Sequence, residues 1–441
     1  MTALLVRGGR VIDPANGLDL PEADVLIADG VIQATGAGLP AGGARVLDAA
    51  GLIVAPGFVD LHTHLREPGY EYKETVETGT QAAARGGFTT VCAMPNTDPP
   101  ADSRSVVDYV LRRAAEAGAV RVLPIGCVTK GRAGKLLAEL GGLAEAGCAG
   151  FSDDGSPVGD AAIMRRALEY ASAFGLPVID HPEDPQLAGG VMHEGWVSTR
   201  LGLRGIPAAS EENAIARDVA LARQTGGHVH VAHISTAGGV ELIRRAKAEG
   251  LRVTAEVTPH HLTLTHERVM RGPGHEGGAP LAYDTNAKMY PPLRAPEDVA
   301  ACVDGLRDGT IDAIATDHAP HAVQEKLCEF DDAAFGIVGL ETALPLALQT
   351  GLPLARVLEA LTIGPVRALG LDRRLPGLGT LSAGAPGDVT VFDPAREWRV
   401  EAEALASKGK NTPFLGQTLR GQVIATVSGG EAVFELEKAG A

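Results

Sequence analysis

Apolar and polar positions follow two rhythms along this chain. Near its start, LLVRGGRVID, ADVLIADGVIQATG and GLIVAPG alternate with period two and are broken by glycines, the pattern of short half-buried strands joined by tight turns. Near its end, GTLSAGAPGDVTVFDP and TPFLGQTLRGQVIATVSGGEAVF repeat that grammar. Between them, apolar runs alternate with stretches rich in alanine, leucine and charge, such as VVDYVLRRAAEAG, AAIMRRALEYASAFG and GGVELIRRAKAEG, which predict helices. Eight strand candidates stand out in this middle region: FVDLH, TTVCAM, RVLPIGC, AGFSDD, PVIDH, HVHVAHI, RVTAEVT and IDAIATD. Eight strand-then-helix units over residues 55–375 predict an α/β fold, a (β/α)8 TIM-type barrel with its chemistry at the C-terminal strand ends. The flanking pieces, residues 1–54 and 376–441, are expected to pair into one small β-sandwich domain built from both chain ends. The Gly- and Pro-rich stretch from Arg271 to Ala282 predicts a loop after the seventh strand, with the length of an active-site loop.

Composition narrows the function. The 441 residues are 45% hydrophobic and 21% charged, ordinary globular values that argue against disorder, collagen or coiled coil. No apolar run approaches the ~18 residues needed to span a bilayer, and the start lacks a basic segment followed by an apolar one, so a cytoplasmic protein is expected. A net charge of −16 disfavours a phosphate backbone as the main partner, although arginines can reverse the sign inside a pocket. The five cysteines are scattered without a C-x-x-C, which suits neither a disulfide framework nor a thiolate zinc cage; they are expected to fill space.

The histidines are placed more tellingly. His62 and His64 form an H-x-H at the end of the first barrel strand, where period two puts both on one face. Alone, such a pair reads most simply as two polar residues satisfied at a strand end. The pattern recurs at other strand ends: Ser152-Asp153-Asp154-Gly155 after the fourth, Asp180-His181-Pro182 after the fifth, His228, His230 and His233 along the sixth, and Asp317-His318-Ala319-Pro320-His321 after the eighth. Core histidines have no reason to gather at one end of different strands, so a metal centre is the better reading. Strand parity sets Asp153 against Asp154, Asp317 against His318, and His233 against His228 and His230 if the strand is regular. It does not say which member of each faces inward.

PGFVDLHTHLREPGYEYKETVETGTQAAARGGFTTVCAMPNTDPP, HVAHIST and ATDHAPH resemble the dihydroorotases of the amidohydrolase superfamily, and the similarity runs over essentially the whole chain. The resemblance implies metal ligands at His62, His64, Asp154, His181, His233 and Asp317; the 27 residues from Asp154 to His181 select Asp154 over Asp153. Four histidines and two carboxylates exceed one tetrahedral site and suit two zinc ions ~3.5–4 Å apart, bridged by Asp154 and a hydroxide. Hydantoinases and allantoinases bridge instead with a carboxylated lysine after the fourth strand, and AGFSDDGSP contains no lysine. The resemblance also implies that Arg66, Asn96 and His321 hold a substrate carboxylate, in keeping with the fork geometry of arginine. Phe335 and Gly336 in FGIVGLET would offer backbone contacts to a pyrimidine ring; an ordinary turn before a helix is the alternative. Asp317 would be the catalytic acid–base residue.

One departure stands out. Tyr290 in KMYPPLR replaces the asparagine usual in N-P-P-L-R, exchanging a donor-and-acceptor amide for one bulkier hydroxyl. His260 and His261 in TPHHL have no ligand slot and are expected to pack or to hydrogen-bond behind the centre. The expected reaction is the reversible cyclisation of N-carbamoyl-L-aspartate to dihydroorotate in pyrimidine biosynthesis, by a homodimer that could associate with aspartate transcarbamoylase. The rivals are another cyclic amidase, and an inactive dihydroorotase-like structural subunit.

Overall fold

The computed structural model describes residues 3–270 and 283–436. The loop expected at Arg271 to Ala282 lies outside the described residues. The first three barrel strands, Phe58–Thr63, Phe88–Ala93 and Arg121–Pro124, pair in parallel. The fifth to eighth, Val178–Asp180, Val229–Val231, Val253–Val257 and Ala313–Ile314, do the same. Between the two groups, the expected fourth strand shrinks to Phe151, which bridges to Gly126 on one side and Val178 on the other. Its sequence, AGFSDD, carries one large apolar residue between a glycine and three polar ones, too little to sustain a longer ladder. The circle closes where Thr63 pairs with His318 and the His64 N–H donates to the His318 carbonyl at 2.9 Å.

Helices follow the strands on the outside as the pattern predicts, including Arg104–Ala117, Ala161–Ser172 and Ala237–Ala248. Their starts are set by local chemistry: Thr75 accepts from the Thr78 N–H, Asp160 from those of Ala162 and Ile163, and Thr236 from that of Gly239. Each cap follows a strand end, so the loops that carry the candidate ligands are pinned on both sides. A large apolar layer, including Phe58, Phe88, Phe151, Leu168 and Ile243, lies between strands and helices, and a second cluster with Leu61, Met94, Ile125 and Ile179 holds the strands' other face.

The two chain ends build one sheet. Ile53–Pro56, from the start, pairs antiparallel with Val389–Arg399, from the end, joining five N-terminal strands to three C-terminal ones. Bulges near Gly9 and after Asp393 bend the long strands. Leu4, Val25, Ile27, Val389, Val391 and Val427 share a core of their own. Four cysteines are buried among apolar neighbours as expected; Cys328 is exposed and fills no core. Among the described residues, no helix is long and apolar enough to cross a membrane.

Candidate metal centre and substrate pocket

The six candidate ligands reach one point at the C-terminal mouth of the barrel. Asp154 sits at the middle: its Oδ1 lies 3.4 Å from His62 Nε2, 3.4 Å from His181 Nδ1 and 3.5 Å from His233 Nε2, while its Oδ2 lies 3.5 Å from His64 Nε2. Asp317 Oδ1 is 3.0 Å from His64 Nε2 and 3.6 Å from His62 Nε2. Two overlapping triplets, His62–His64–Asp317 and His62–Asp154–His233, have ligand atoms all within 4.8 Å of one another. All six residues are buried.

Irregular backbone makes this convergence possible. His233 and Asp317 adopt left-handed φ values of 33° and 42°, uncommon for residues with a Cβ. The sixth strand ends at Val231, so the alternation that would set His233 against His230 stops before His233 is reached. Both imidazoles therefore serve the interior, His233 at the centre and His230 beneath it, which corrects the expectation from strict parity. The other parity pairs resolve cleanly. Asp153 turns away to accept from the Val128 and Thr129 N–H groups at 2.9 and 3.0 Å. His318 faces Glu74 and Ser407 while Asp317 takes the centre.

Electrostatics favour a cation. Burial would raise the Asp154 carboxyl, but His62, His181 and His233 outweigh it and hold it well below the usual range. Asp317 is lowered in the same way, against its burial, by His62 and His64. Burial opposes charging His62, yet Asp154 and Asp317 draw its pKa well upward. His62 Nε2 and Asp154 Oδ1 are buried without a hydrogen-bond partner, which is costly unless a ligand sits between them. Imidazole nitrogens and carboxylate oxygens with orphaned atoms aimed at one point are the donor set of a divalent cation such as zinc, and the residues present fit it.

Behind the ligands lies a support that sequence reading missed. Glu256, on the seventh strand and 1% exposed, accepts from His62 Nδ1 at 2.9 Å and from His230 Nε2 at 3.1 Å. Burial would raise its carboxyl, but the two imidazoles hold it down at about 2. His230 Nδ1 continues to the Thr254 hydroxyl at 2.8 Å. A lone glutamate between Ala255 and Val257 in a buried strand was the available signal, since such a charge needs partners. His261 has both ring nitrogens engaged, by Thr258 and the Pro291 carbonyl, and His260 packs on it with ring centroids 4.7 Å apart.

The centre opens into a cavity of about 260 Å³ lined by His64, Arg66, Asn96, Asp154, His181, Tyr290, Asp317, His321, Phe335 and Gly336, among others. Arg66 has a left-handed φ of 61°, donates from Nε to the Pro320 carbonyl at 3.2 Å, has Nη2 3.4 Å from His321 Nε2, and lines the cavity. The following Glu67-Pro68-Gly69 turn needs its glycine: φ is 96°, and a Cβ there would lie 2.2 Å from the Asp98 carbonyl oxygen. Asn96 Oδ1 accepts from His64 Nδ1 at 2.8 Å, so this residue orients a candidate ligand as well as facing the cavity. Burial, with Arg66 and Lys73 nearby, pushes His321 down to about 2; neutral, it donates from Nε2 to the Phe335 carbonyl at 2.8 Å. Gly336 donates to the Lys288 carbonyl and accepts from Asn411, which leaves the Phe335 N–H as the unpartnered backbone group of that pair among the described residues. Tyr290 lies between the rings of His181 and Phe335, at 4.8 and 4.9 Å, and donates to Glu183.

A parallel barrel whose C-terminal mouth gathers histidines and carboxylates in this way has the architecture of the barrel hydrolases and a donor set that could hold a metal ion. Residues 51–238 match the model of the Dihydro-orotase-like family. A dihydroorotase of Geobacter sp. (strain M21) is 54% identical over 98% of this chain and 99% of its own, and one of Pelotomaculum thermopropionicum is 53% identical over 98% of each. The L-hydantoinase of Arthrobacter aurescens superposes with a TM-score of 0.84 at 27% identity, covering 99% of this chain and 96% of that one. The dihydropyrimidinase of Brevibacillus agri gives 0.83 at 23% identity, over 98% of this chain and 95% of that one, a likeness of fold. The chain belongs to the dihydroorotase family.

Proposed function

We propose that this protein catalyses the reversible cyclisation of N-carbamoyl-L-aspartate to (S)-dihydroorotate and water, a step of pyrimidine biosynthesis. It is a hydrolase of cyclic amides. The observation that carries the reading is the Asp154 carboxylate among four histidines, with Arg66 opening into the same cavity. His62, His64, Asp154, His181, His233 and Asp317 would hold two zinc ions with Asp154 between them. When bound, they supply Lewis acidity and a water whose pKa falls toward ~7.

The chain's own residues account for the rest. Arg66, with Asn96 and His321 beside it, binds the free carboxylate of the substrate and turns binding energy into orientation. The Phe335 N–H and Gly336 give the ring an edge to rest on. In ring opening, a carbon–oxygen bond forms at the amide carbonyl and the carbon–nitrogen bond breaks. Asp317, kept ionised by its histidine neighbours, accepts the proton of the attacking water and delivers it to the departing ureido nitrogen. In the synthetic direction it takes that proton back.

Hydantoinase-like chemistry is the second reading, favoured by the fold neighbours, but neutral substrates leave Arg66 without a purpose. We also read the chain as a cytoplasmic homodimer, able to associate with aspartate transcarbamoylase, with a barrel at 55–375 and an end-built β-sandwich from 1–54 and 376–441. Ultraviolet assays with L-dihydroorotate, hydantoin and dihydrouracil, each with and without a chelator, test the activity. Chelator-sensitive loss of dihydroorotate alone is expected. Turnover of the neutral rings in preference would favour the second reading, and inactivity on all three would leave the structural-subunit role.

A further inference from the structure

The pocket contains a cluster of three rings in which one, Tyr290, has no part in the proposed reaction. The Tyr290 ring contacts that of His181, with centroids 4.8 Å apart and planes tilted by 38°, and that of Phe335, at 4.9 Å and 38°. Its hydroxyl is committed to Glu183, so it is not the free donor-and-acceptor that an asparagine would present to a ligand. The segment bearing it is fastened from both sides. Lys288 donates to the Phe330 and Asp331 carbonyls at 2.7 and 2.9 Å, and Arg294 donates to Ser235 Oγ at 3.0 Å and to the Ile206 carbonyl at 3.1 Å. Tyr290 is thus a flat plate on a rigid support, pressed against a candidate metal ligand and against the wall of the substrate pocket.

We infer that Tyr290 is a positioning residue that fixes the His181 imidazole for the metal and, by holding the Phe335 side chain, the Phe335 backbone for the substrate, through its ring rather than its hydroxyl. The inference rests on the dihydroorotase reading of this site. The polar neighbours of the His181 ring, His233 Nε2 at 2.9 Å and Asp154 Oδ1 at 3.4 Å, are candidate ligands themselves, so the Tyr290 ring is a restraint on His181 that does not depend on the other ligands. Partners behind metal ligands typically carry 10–100-fold of metal affinity or activity. The same plate backs Phe335, so removing it loosens the edge on which the substrate ring rests.

The test compares Y290F, Y290L and Y290N with the wild type, all zinc-loaded, by zinc release to 4-(2-pyridylazo)resorcinol and by kcat and KM for L-dihydroorotate, with melting temperatures as the check on folding. Y290L and Y290N are expected to release zinc about tenfold faster or more and to show both lower kcat and higher KM. Y290F, which keeps the plate and loses the tie to Glu183, should return zinc release to within about threefold of wild type. Wild-type release from Y290L or Y290N, or release from Y290F as fast as from Y290L, would overturn the inference. A wild type that holds zinc but leaves dihydroorotate untouched would instead overturn the reading of function, and the zinc-release comparison would still judge the role of Tyr290 toward His181.

Discussion

Replacing Glu256 by glutamine removes one charge from the barrel interior without changing its shape. In the wild type the carboxylate accepts from His62 Nδ1 and His230 Nε2 at 2.9 and 3.1 Å, so it fixes the tautomer of His62 and turns Nε2 toward the centre. The glutamine can accept from one imidazole, while its NH2 meets the other. His230 can adjust by donating to Thr254 instead; His62, whose Nε2 points at the cation site, cannot give up its Nδ1 proton without losing its orientation. Two effects follow. Apparent zinc affinity should fall about 10–100-fold, ~1.4–2.7 kcal/mol. The acid stability should also change. A carboxyl held at about 2 when folded, against 4.5 unfolded, binds fewer protons in the native state between those values. Its contribution, ~3 kcal/mol, is complete above pH 4.5 and disappears as the pH falls through 2. Urea midpoints of the zinc-free protein from pH 6 down to 2.5 should therefore fall more steeply for wild type than for Glu256→Gln, and competition against a chelator should report the weaker zinc. Equal slopes together with equal zinc affinity would refute the role given to Glu256.

Other predictions address the chemistry and the pocket. Asp317→Asn should retain bound zinc, measured by elemental analysis, yet lose about 10²–10⁴-fold in turnover of dihydroorotate; unchanged turnover would remove Asp317 from proton transfer. Arg66→Lys should raise KM for dihydroorotate about tenfold or more without altering zinc content, because a single ammonium cannot reproduce the fork; an unaltered KM would place the substrate carboxylate elsewhere. Gly336→Ala should cost ~1–3 kcal/mol in urea denaturation and raise KM, since φ is 147° and a Cβ would meet Ala319 at 2.8 Å and His321 at 3.0 Å; wild-type stability would show that this loop yields more easily than its packing suggests.

Much of this architecture is legible in the chain because the barrel repeats a simple rule, an apolar strand followed by an amphipathic helix, and because ligands must stand at strand ends. Period two puts His62 and His64 on one face, and both reach the centre although the strand's pairing shifts register between Asp60 and Thr63 and the strand ends before His64. His233 and Asp317 could not be placed this way, because left-handed residues break the alternation where the site is built. Choosing Asp154 over Asp153 needed the family spacing; in space the choice follows from the Val128 and Thr129 N–H groups that claim Asp153. Glu256 stayed hidden because its partners are 26 and 194 residues away, and a carboxylate buried for long-range reasons leaves no local pattern. The fastening of Tyr290 is likewise long-range, to Glu183 107 residues earlier.

The central claim is that six side chains from five strand ends enclose divalent cations. Diffraction data from zinc-loaded crystals, collected on both sides of the zinc absorption edge, test it most directly. The account predicts two anomalous peaks at the barrel mouth, enclosed by His62, His64, Asp154, His181, His233 and Asp317 with Asp154 between them. Zinc found only at other side chains, or a mouth that stays empty in protein saturated with the metal, would contradict it.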